Sequence, residues 1–306
     1  MPEFESHHIE KGDYTLHYKR IVENTAGPAV MLVHGSIEDG KIFYSKSGKG
    51  FAPFLAKHGF DVYVLDLRGK GESKPAIDEK SDFGQREAIL EDIPDFISSI
   101  QANHQKEIEF IGAHSWGGVL TLSYLARFEM PSLKGLFFFG SKRDVRVQSL
   151  KRWFNIDLLW NKLGTYLVHQ YGYLPAVKYK AGSDNESKRF FLEVNHWVYS
   201  KDWIDTTDGF NYAQALKNKQ LPPLLSFTGT KDTHSGHAKD VKRLLQEIGE
   251  QENHQFKLIG KKTGYKVDYD HINLLTHPKA QEDHFKYLVD WLEQKVEKKE
   301  MAGGRS

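Results

Sequence analysis

The stretch "IGAHSWGGVLTLSY", residues 111–124, combines an apolar strand pattern, a run of small residues around one serine, and the start of a helical pattern. Ser115 has Ala113 two positions before it and Gly117 two positions after it. In a sharp turn from strand to helix these flanking positions must be small, because the backbone is strained and passes close to its neighbours. Gly118 lets the helix pack close to the sheet. The stretch therefore predicts a strand–turn–helix unit with Ser115 at its tip, either as a nucleophile or as an ordinary turn residue.

Apolar runs and helical patterns alternate along most of the chain. The predicted strands cover residues 13–22, 28–35, 60–69, 107–113, 133–140, 222–229 and 254–260, after a hairpin arm over residues 7–14. The predicted helices cover residues 50–59, 83–101 with a kink at Pro94, 117–128, 239–249 and 278–299, before a frayed tail over residues 301–306. Strands that alternate with helices favour an α/β fold with a doubly wound, mostly parallel sheet covered on both faces.

Residues 141–218 interrupt this alternation, because they show no buried-strand pattern and contain four of the six tryptophans. Their broken amphipathic segments are typical of short helices, so we expect an inserted helical cap on a core made of residues 1–140 and 219–306. The polar stretch 178–189 is expected to be an exposed connection. The aromatic side chains of the insertion either form its own small core or line a substrate cleft.

Composition excludes several classes of function. The 306 residues carry a net charge of +1, which leaves no electrostatic footprint for nucleic acid. The chain has no cysteine, and this excludes disulfides, thiolate zinc sites and cysteine nucleophiles. No apolar run approaches the roughly 18 residues of a membrane span, and the N-terminus lacks the apolar segment of a signal peptide. We therefore expect a cytoplasmic protein without an integral membrane segment.

Two further residues could complete a catalytic triad with Ser115. Asp232 follows the predicted strand over residues 222–229, and His271 lies in the loop before the closing helix. A serine nucleophile needs a base, and the base needs a carboxylate that orients it. The order Ser, Asp, His along the chain is that of α/β-hydrolases. Loops at the carboxyl ends of strands are also where open α/β sheets build their sites.

The same architecture requires two N–H donors for a developing oxyanion. One donor belongs to the residue after the nucleophile, which is Trp116, and the other to the loop after the third strand. In this chain that strand ends in "LVHGS", residues 32–36, so Ser36 is the expected second donor. Taken alone, His34 and Gly35 are equally consistent with a simple turn.

Other residues compete for these roles. Asp144 follows the strand over residues 133–140 and is the alternative acid, whereas His277 and His284 are alternatives to His271 at or inside the closing helix. His114 is interpreted as structural, because side chains adjacent on such a turn diverge. "HSGH", residues 234–237, has a metal-like spacing but is expected to be a solvated loop.

In this order the motifs resemble the α/β-hydrolase fold superfamily, most closely its capped lysophospholipase, monoacylglycerol lipase and esterase-like members. The matching stretches are "VHGS" (33–36), "DLRGKGES" (66–73), "AHSWGG" (113–118), "GTKD" (229–232) and "DHINLL" (270–275). The likeness covers nearly the whole chain outside the insertion, although Ala113 replaces the glycine usual in G-x-S-x-G. The resemblance implies Ser115 as nucleophile, His271 as base and Asp232 as its orienting carboxylate.

The resemblance also implies a function and a class of substrate. We expect a serine hydrolase that cleaves an apolar, small-molecule or lipid-like carboxylic ester without a metal or organic cofactor. The same triad serves acyltransferases, thioesterases and aminopeptidases, and the fold also occurs in non-catalytic binding proteins. These remain alternatives, because analogy at the level of the fold does not decide the substrate.

Overall fold

The computed structural model describes the backbone of residues 1–303 and the side chains up to residue 297. Ten strands are present in this part of the chain. Their bounds are β1 (Glu3–Glu10), β2 (Thr15–Val22), β3 (Ala29–Val33), β4 (Asp61–Asp66), β5 (Ile108–His114), β6 (Gly135–Phe139), β7 (Tyr173–Leu174), β8 (Glu186–Ser187), β9 (Leu224–Gly229) and β10 (His254–Ile259).

Eight of these strands form one sheet in the order β1-β2-β4-β3-β5-β6-β9-β10. β1 pairs antiparallel with β2, and β2 pairs antiparallel with β4. All the remaining neighbours are parallel. The doubly wound, mostly parallel sheet predicted from the sequence is therefore confirmed, and the carboxyl ends of β3, β5, β6, β9 and β10 share one edge.

Helices cover both faces of this sheet. Their bounds are α1 (Phe51–Lys57), α2 (Ile93–His104), α3 (Trp116–Arg127), α4 (Gly164–Tyr171), α5 (Lys188–Tyr199), α6 (Tyr212–Lys217), α7 (Ala238–Glu247) and α8 (His284–Gly303). Shorter helical turns lie at Gly40–Ile42, Gln85–Glu87, Leu150–Arg152, Lys261–Thr263, Asn273–Thr276 and Pro278–Glu282, and π-helical segments at Ala88–Asp92 and Trp153–Leu163. None of these helices, over the described residues, is long and apolar enough to cross a bilayer.

Strand residues alternate between two hydrophobic cores, one on each face. In β6, Leu136 and Phe138 join the cluster that also contains residues of α2 and α3. Phe137 and Phe139 join the opposite cluster, which contains residues of α1 and α8. A strand buried on both faces reads as a continuous apolar run, which is why these strands were recognisable in the sequence.

One predicted detail near the N-terminal half has different bounds. The hairpin arm predicted over residues 7–14 is the strand Glu3–Glu10, because its partner β2 continues to Val22. Pro94 lies inside a helical run that continues from Gln85 to His104, since Asp92 and Ile93 before it are themselves helical. The irregularity in this run falls directly before the proline, in the π-helical segment Ala88–Asp92.

The C-terminal helix also differs from the prediction. Residues 278–282 form a separate helical turn with Pro278 at its start, and α8 begins only at His284. α8 continues to Gly303, so the predicted frayed tail is helical over residues 301–303. The rest of that tail, residues 304–306, lies outside the described residues.

Residues 141–218 contribute no strand to the eight-stranded sheet and are mainly helical. Four tryptophans lie in this inserted segment: Trp197 and Trp203 pack edge to face in the core, whereas Trp153 is 56% exposed. The stretch 178–189 is only partly the exposed connection that we predicted. It ends in β8, whose Glu186 and Ser187 are fully buried.

Candidate active site

Ser115 lies at the turn between β5 and α3 in a strained backbone conformation. Its φ of 50° and ψ of −120° are rare for a residue with a side chain, and such strain persists only where the surroundings enforce it. A methyl group on Gly117 would come within 2.3 Å of the Val33 carbonyl oxygen, so this position needs glycine. The local sequence therefore raises the Ser115 side chain at the carboxyl edge of the sheet.

His271 and Asp232 are joined directly. His271 Nδ1 lies 2.6 Å from Asp232 Oδ2, and the other oxygen of Asp232 accepts a 2.7 Å hydrogen bond from the Gly236 N–H. Because a carboxylate can only accept, Nδ1 carries the proton and Nε2 is left as the basic nitrogen. The hydrogen bonds of the described residues do not include one from the Ser115 hydroxyl to His271, and such contacts often tighten only with substrate bound.

The ionisation of this pair reflects its burial. Burial lowers the pKa of His271 below its ordinary value, and the charges of His114 and Lys142 act in the same direction against that of Asp232. Burial acts to raise the pKa of Asp232, but the charge and hydrogen bond of His271, with help from Gly236 and Lys142, bring it below its usual range. The arrangement favours a neutral imidazole beside an ionised carboxylate at neutral pH.

The two predicted oxyanion donors also lie at this edge. Trp116 is the first residue of α3, and Ser36 follows β3, so the N–H groups of both stand at the start of turns. Neither N–H has an acceptor among the described residues. The Ser36 hydroxyl donates to Glu186 of the inserted segment over 2.8 Å, and the Ile37 N–H donates to the same carboxylate over 3.1 Å. The buried Glu186 side chain of the inserted segment thus anchors the loop that carries Ser36.

A second buried carboxylate–imidazole pair adjoins the first. His114 Nδ1 lies 2.7 Å from Glu38 Oε1, and its Nε2 lies 3.1 Å from the His271 carbonyl oxygen. Burial opposes the charged form of His114, but the charge and hydrogen bond of Glu38 prevail and raise its pKa. Since both partners accept, His114 donates from both nitrogens and supports the backbone of His271. These contacts agree with the structural interpretation of His114.

Several of these groups line one cavity of about 530 Å³ between the sheet edge and the inserted segment. Ser36, Ser115, Trp116 and His271 line its floor. The inserted segment supplies a mainly apolar wall of Val145, Ile156, Trp160, Val194 and Val198. Of the four non-glycine residues with positive φ in the described chain, Ile37, Ser115 and Lys180 line this cavity. Such clustering of strained residues is typical of functional sites.

The alternative residues lie elsewhere. Asp144 pairs with Arg146 and Arg243 rather than with a histidine. His284 is buried against the Leu274 carbonyl, and burial lowers its pKa to about 4. His277 caps the turn that begins at Pro278. In the stretch 234–237, His237 caps α7 instead of facing His234 across a metal-sized gap.

Three residues at the site were missed by sequence reasoning: Glu38, Glu186 and Lys142. Glu38 and Glu186 act through partners that are distant in sequence, 76 and 150 residues away. Lys142 lines the cavity two residues after Gly140, at the end of β6. The signal that could have found it is its place after a strand at the carboxyl edge, the same criterion that selected Asp232.

Comparison with known proteins places the chain in a family. The family model described as Hydrolase_4: Serine aminopeptidase, S33, matches residues 25–262. A curated relative, bifunctional epoxide hydrolase 2 of Sus scrofa, is 38% identical over 101 residues. That match takes in 32% of this chain but only 16% of the relative, so the chain spans a small part of the relative's length.

Solved structures share the fold at low sequence identity. A carboxylesterase structure from Nitrososphaera gargenis is 14% identical, with a TM-score of 0.62 over 95% of this chain and 100% of that one. An esterase from Pyrococcus furiosus is 16% identical, with a TM-score of 0.56 over 96% of this chain and 91% of that one. At such identity the likeness establishes the shared architecture of sheet and helices.

Proposed function

The chain belongs to the α/β-hydrolase family described as Hydrolase_4, serine aminopeptidase S33, and we propose that it hydrolyses carboxylic esters through an acyl-enzyme on Ser115. The observation that carries this proposal is the 2.6 Å contact between His271 and Asp232 at the cavity into which strained Ser115 is raised. A serine hydroxyl, an imidazole and a carboxylate at one edge of the sheet are the groups that acyl transfer by serine requires, and this supports the proposal.

In the proposed first half-reaction, the Ser115 oxygen attacks the carbonyl carbon of the ester while its proton passes to His271 Nε2. Asp232 accepts the Nδ1–H and stabilises the imidazolium that forms. The oxygen of the tetrahedral intermediate accepts hydrogen bonds from the N–H groups of Ser36 and Trp116, each worth about 3–4 kcal/mol by analogy with measured donors. His271 then returns the proton to the departing alkoxide, which leaves as an alcohol.

In the second half-reaction, water takes the place of the alcohol. His271 removes a proton from the water as its oxygen attacks the acyl carbon, and the intermediate collapses to release the carboxylic acid and restore the Ser115 hydroxyl. We propose that residues 141–218 act as the cap over this chemistry. Their apolar wall along the cavity suits an alkyl or acyl chain.

The first test is covalent labelling with a fluorophosphonate probe. The wild-type protein should be labelled and Ser115→Ala should not, with ester hydrolysis falling by about 10⁵-fold or more. Ser123→Ala is the matched control, since Ser123 is a fully buried serine on α3, the helix that follows Ser115, and lies outside the cavity. Labelling of Ser115→Ala at the wild-type rate would rule out Ser115 as the nucleophile.

A second candidate is amide hydrolysis, because the matching family is described by a serine aminopeptidase. The two activities share every step up to the leaving group, so they differ in rate rather than in machinery. p-Nitrophenyl esters and aminoacyl p-nitroanilides should be compared on the wild-type protein. We expect the esters to be hydrolysed faster. Faster hydrolysis of the anilides would indicate that the protein is a peptidase.

A further inference from the structure

Lys142 brings a positive charge to the cavity that no group of the proposed mechanism uses. It follows β6 and lines the cavity together with Ser115 and His271. Among the described residues, its ammonium group has no hydrogen-bond acceptor within reach and no carboxylate at ion-pair distance. Burial lowers its pKa, which is the response of a cation that lacks a close counter-charge.

The carboxylates nearest to Lys142 are already engaged with other partners. Asp232 holds His271 and the Gly236 N–H, and Glu38 holds His114. Asp240 is bound by Arg243 over 2.6 Å and by the Arg146 N–H. Each acts on Lys142 only at a distance. Lys142 is only partly buried and faces the cavity, so its ammonium group is available to pair with an anion that enters from outside the chain.

We infer that Lys142 is a specificity-determining residue that binds an anionic group, a carboxylate or a phosphate, on the ester substrate. This inference rests on the proposed function and refines its substrate class. An anion beside Lys142 would supply the missing counter-charge and favour the charged form of the ammonium. A neutral ester would leave the same charge without a partner.

The rest of the cavity fits such a substrate. Lys180 lines the rim from the inserted segment, which adds a second positive charge to that wall. The acidic side chain in the lining is Glu38, and its charge is balanced by the His114 imidazolium. With the apolar wall formed by Val194, Val198 and their neighbours, the site accommodates an amphiphilic ester that carries both an apolar chain and an anionic end.

The test compares pairs of esters with and without an anionic group. One arm uses the mono-p-nitrophenyl ester of glutaric acid and its neutral isostere, in which an isopropyl group replaces the free carboxylate. The other arm uses butyryl glycerol phosphate and butyryl glycerol, which place the anion on the alcohol. In at least one arm the wild-type protein should prefer the anionic ester, and Lys142→Met should lower the anionic-to-neutral ratio of kcat/KM by about 10- to 100-fold. The responding arm identifies which side carries the anion.

The control is Lys217→Met, because Lys217 is exposed on α6 and lies outside the cavity. It should keep the wild-type ratio in both arms. A ratio that Lys142→Met leaves unchanged in both arms, in a protein whose Ser115 still reacts with a fluorophosphonate, would overturn the role of Lys142 alone. If the wild-type protein is not labelled by the fluorophosphonate at Ser115, the proposed function itself would be contradicted.

Discussion

Gly140 lies so close to the His271 ring that a side chain at this position would collide with the imidazole. A methyl group on Gly140 would come within 2.8 Å of two atoms of the His271 ring and 3.4 Å of Asp232 Oδ2, and its φ of +63° already disfavours a side chain. We expect Gly140→Ala to displace the imidazole and to lower kcat by about 100-fold, since a shift of about 1 Å in a reacting group can cost that much. Steady-state ester kinetics would measure the loss.

The control for that substitution is Gly12→Ala. Gly12 has a similar φ of +78°, but nothing lies within 4 Å of the added methyl group. Both variants should lose about 1 kcal/mol of stability from the backbone conformation, because alanine tolerates positive φ poorly. Only Gly140→Ala should lose activity; equal kinetics in the two variants would contradict a steric role for Gly140.

The ionisation of His271 sets the acid limb of activity. The base must be neutral, and burial holds the pKa of His271 below the ordinary 6.5. On a neutral ester, the midpoint of the acid limb of kcat/KM should therefore lie below pH 6.5. The charge of Lys142 contributes to this lowered pKa, so Lys142→Met should move the limb to higher pH. A limb that moves to lower pH in this variant, or moves equally in Lys217→Met, would contradict the assignment.

Residues of the site that are marked by a local sequence pattern could be predicted, whereas residues defined by tertiary contacts could not. Ser115, Asp232 and His271 each follow a strand at the carboxyl edge, so local pattern and chain order were enough to bring them together. Lys142 also follows a strand at this edge, but its lack of a close partner, like the pairing of Glu38 with His114, is visible only in three dimensions. The catalytic roles of the first three remain predictions until Ser115 is tested.

At the scale of elements, β8 ties the inserted segment to the loop that carries Ser36 and Ile37. Glu186 lies 3.0 Å from Lys70 and is fully buried, as is most of Lys70. Breaking a buried ion pair leaves one charge uncompensated, so Glu186→Gln should lower the free energy of unfolding by about 3–5 kcal/mol. Because the same carboxylate holds Ser36, kcat should fall as well. Urea unfolding and ester kinetics measure the two effects.

The double variant Lys70→Met, Glu186→Gln separates the effect of the ion pair on stability from the effect of the Glu186 side chain on the loop that carries Ser36. It removes both charges, so much of the lost stability should return. The anchoring of Ser36 and Ile37 should stay weakened in both variants, because the amide oxygen of glutamine accepts their hydrogen bonds less strongly than a carboxylate does. If the double variant is less stable than Glu186→Gln, the ion pair is not the source of the stability.

Elements with a strong local pattern were predicted well, and elements defined by tertiary contacts were not. The buried strands of the sheet read as apolar runs because both faces are covered. β7 and β8 have two residues each and pair across the inserted segment, so no periodicity marks them. The π-helical segments similarly depend on packing, since no residue type specifies them.

At the scale of the whole molecule, alternating strands and helices were enough to predict the sheet and the edge at which residues converge. The path of the inserted segment was not predictable, because its amphipathic pieces could pack in many ways. Its placement nevertheless forms one wall of the cavity. In the proposed function the sheet edge would supply the reacting groups, and the inserted segment would supply the wall that a substrate chain contacts.

If the inserted segment forms the wall along the acyl chain, a larger side chain in that wall should change which acyl lengths the protein accepts. Val198 lines the cavity from α5 and is 8% exposed, so Val198→Phe should shorten the space for an acyl chain without touching Ser115 or His271. The kcat/KM for p-nitrophenyl octanoate relative to acetate should fall by about tenfold or more, because each methylene that no longer fits costs about 1–3 kcal/mol. Val177→Phe is the control, since Val177 is 50% exposed on the same segment and lies outside the cavity. An unchanged ratio in Val198→Phe would mean that the acyl chain does not lie along this wall.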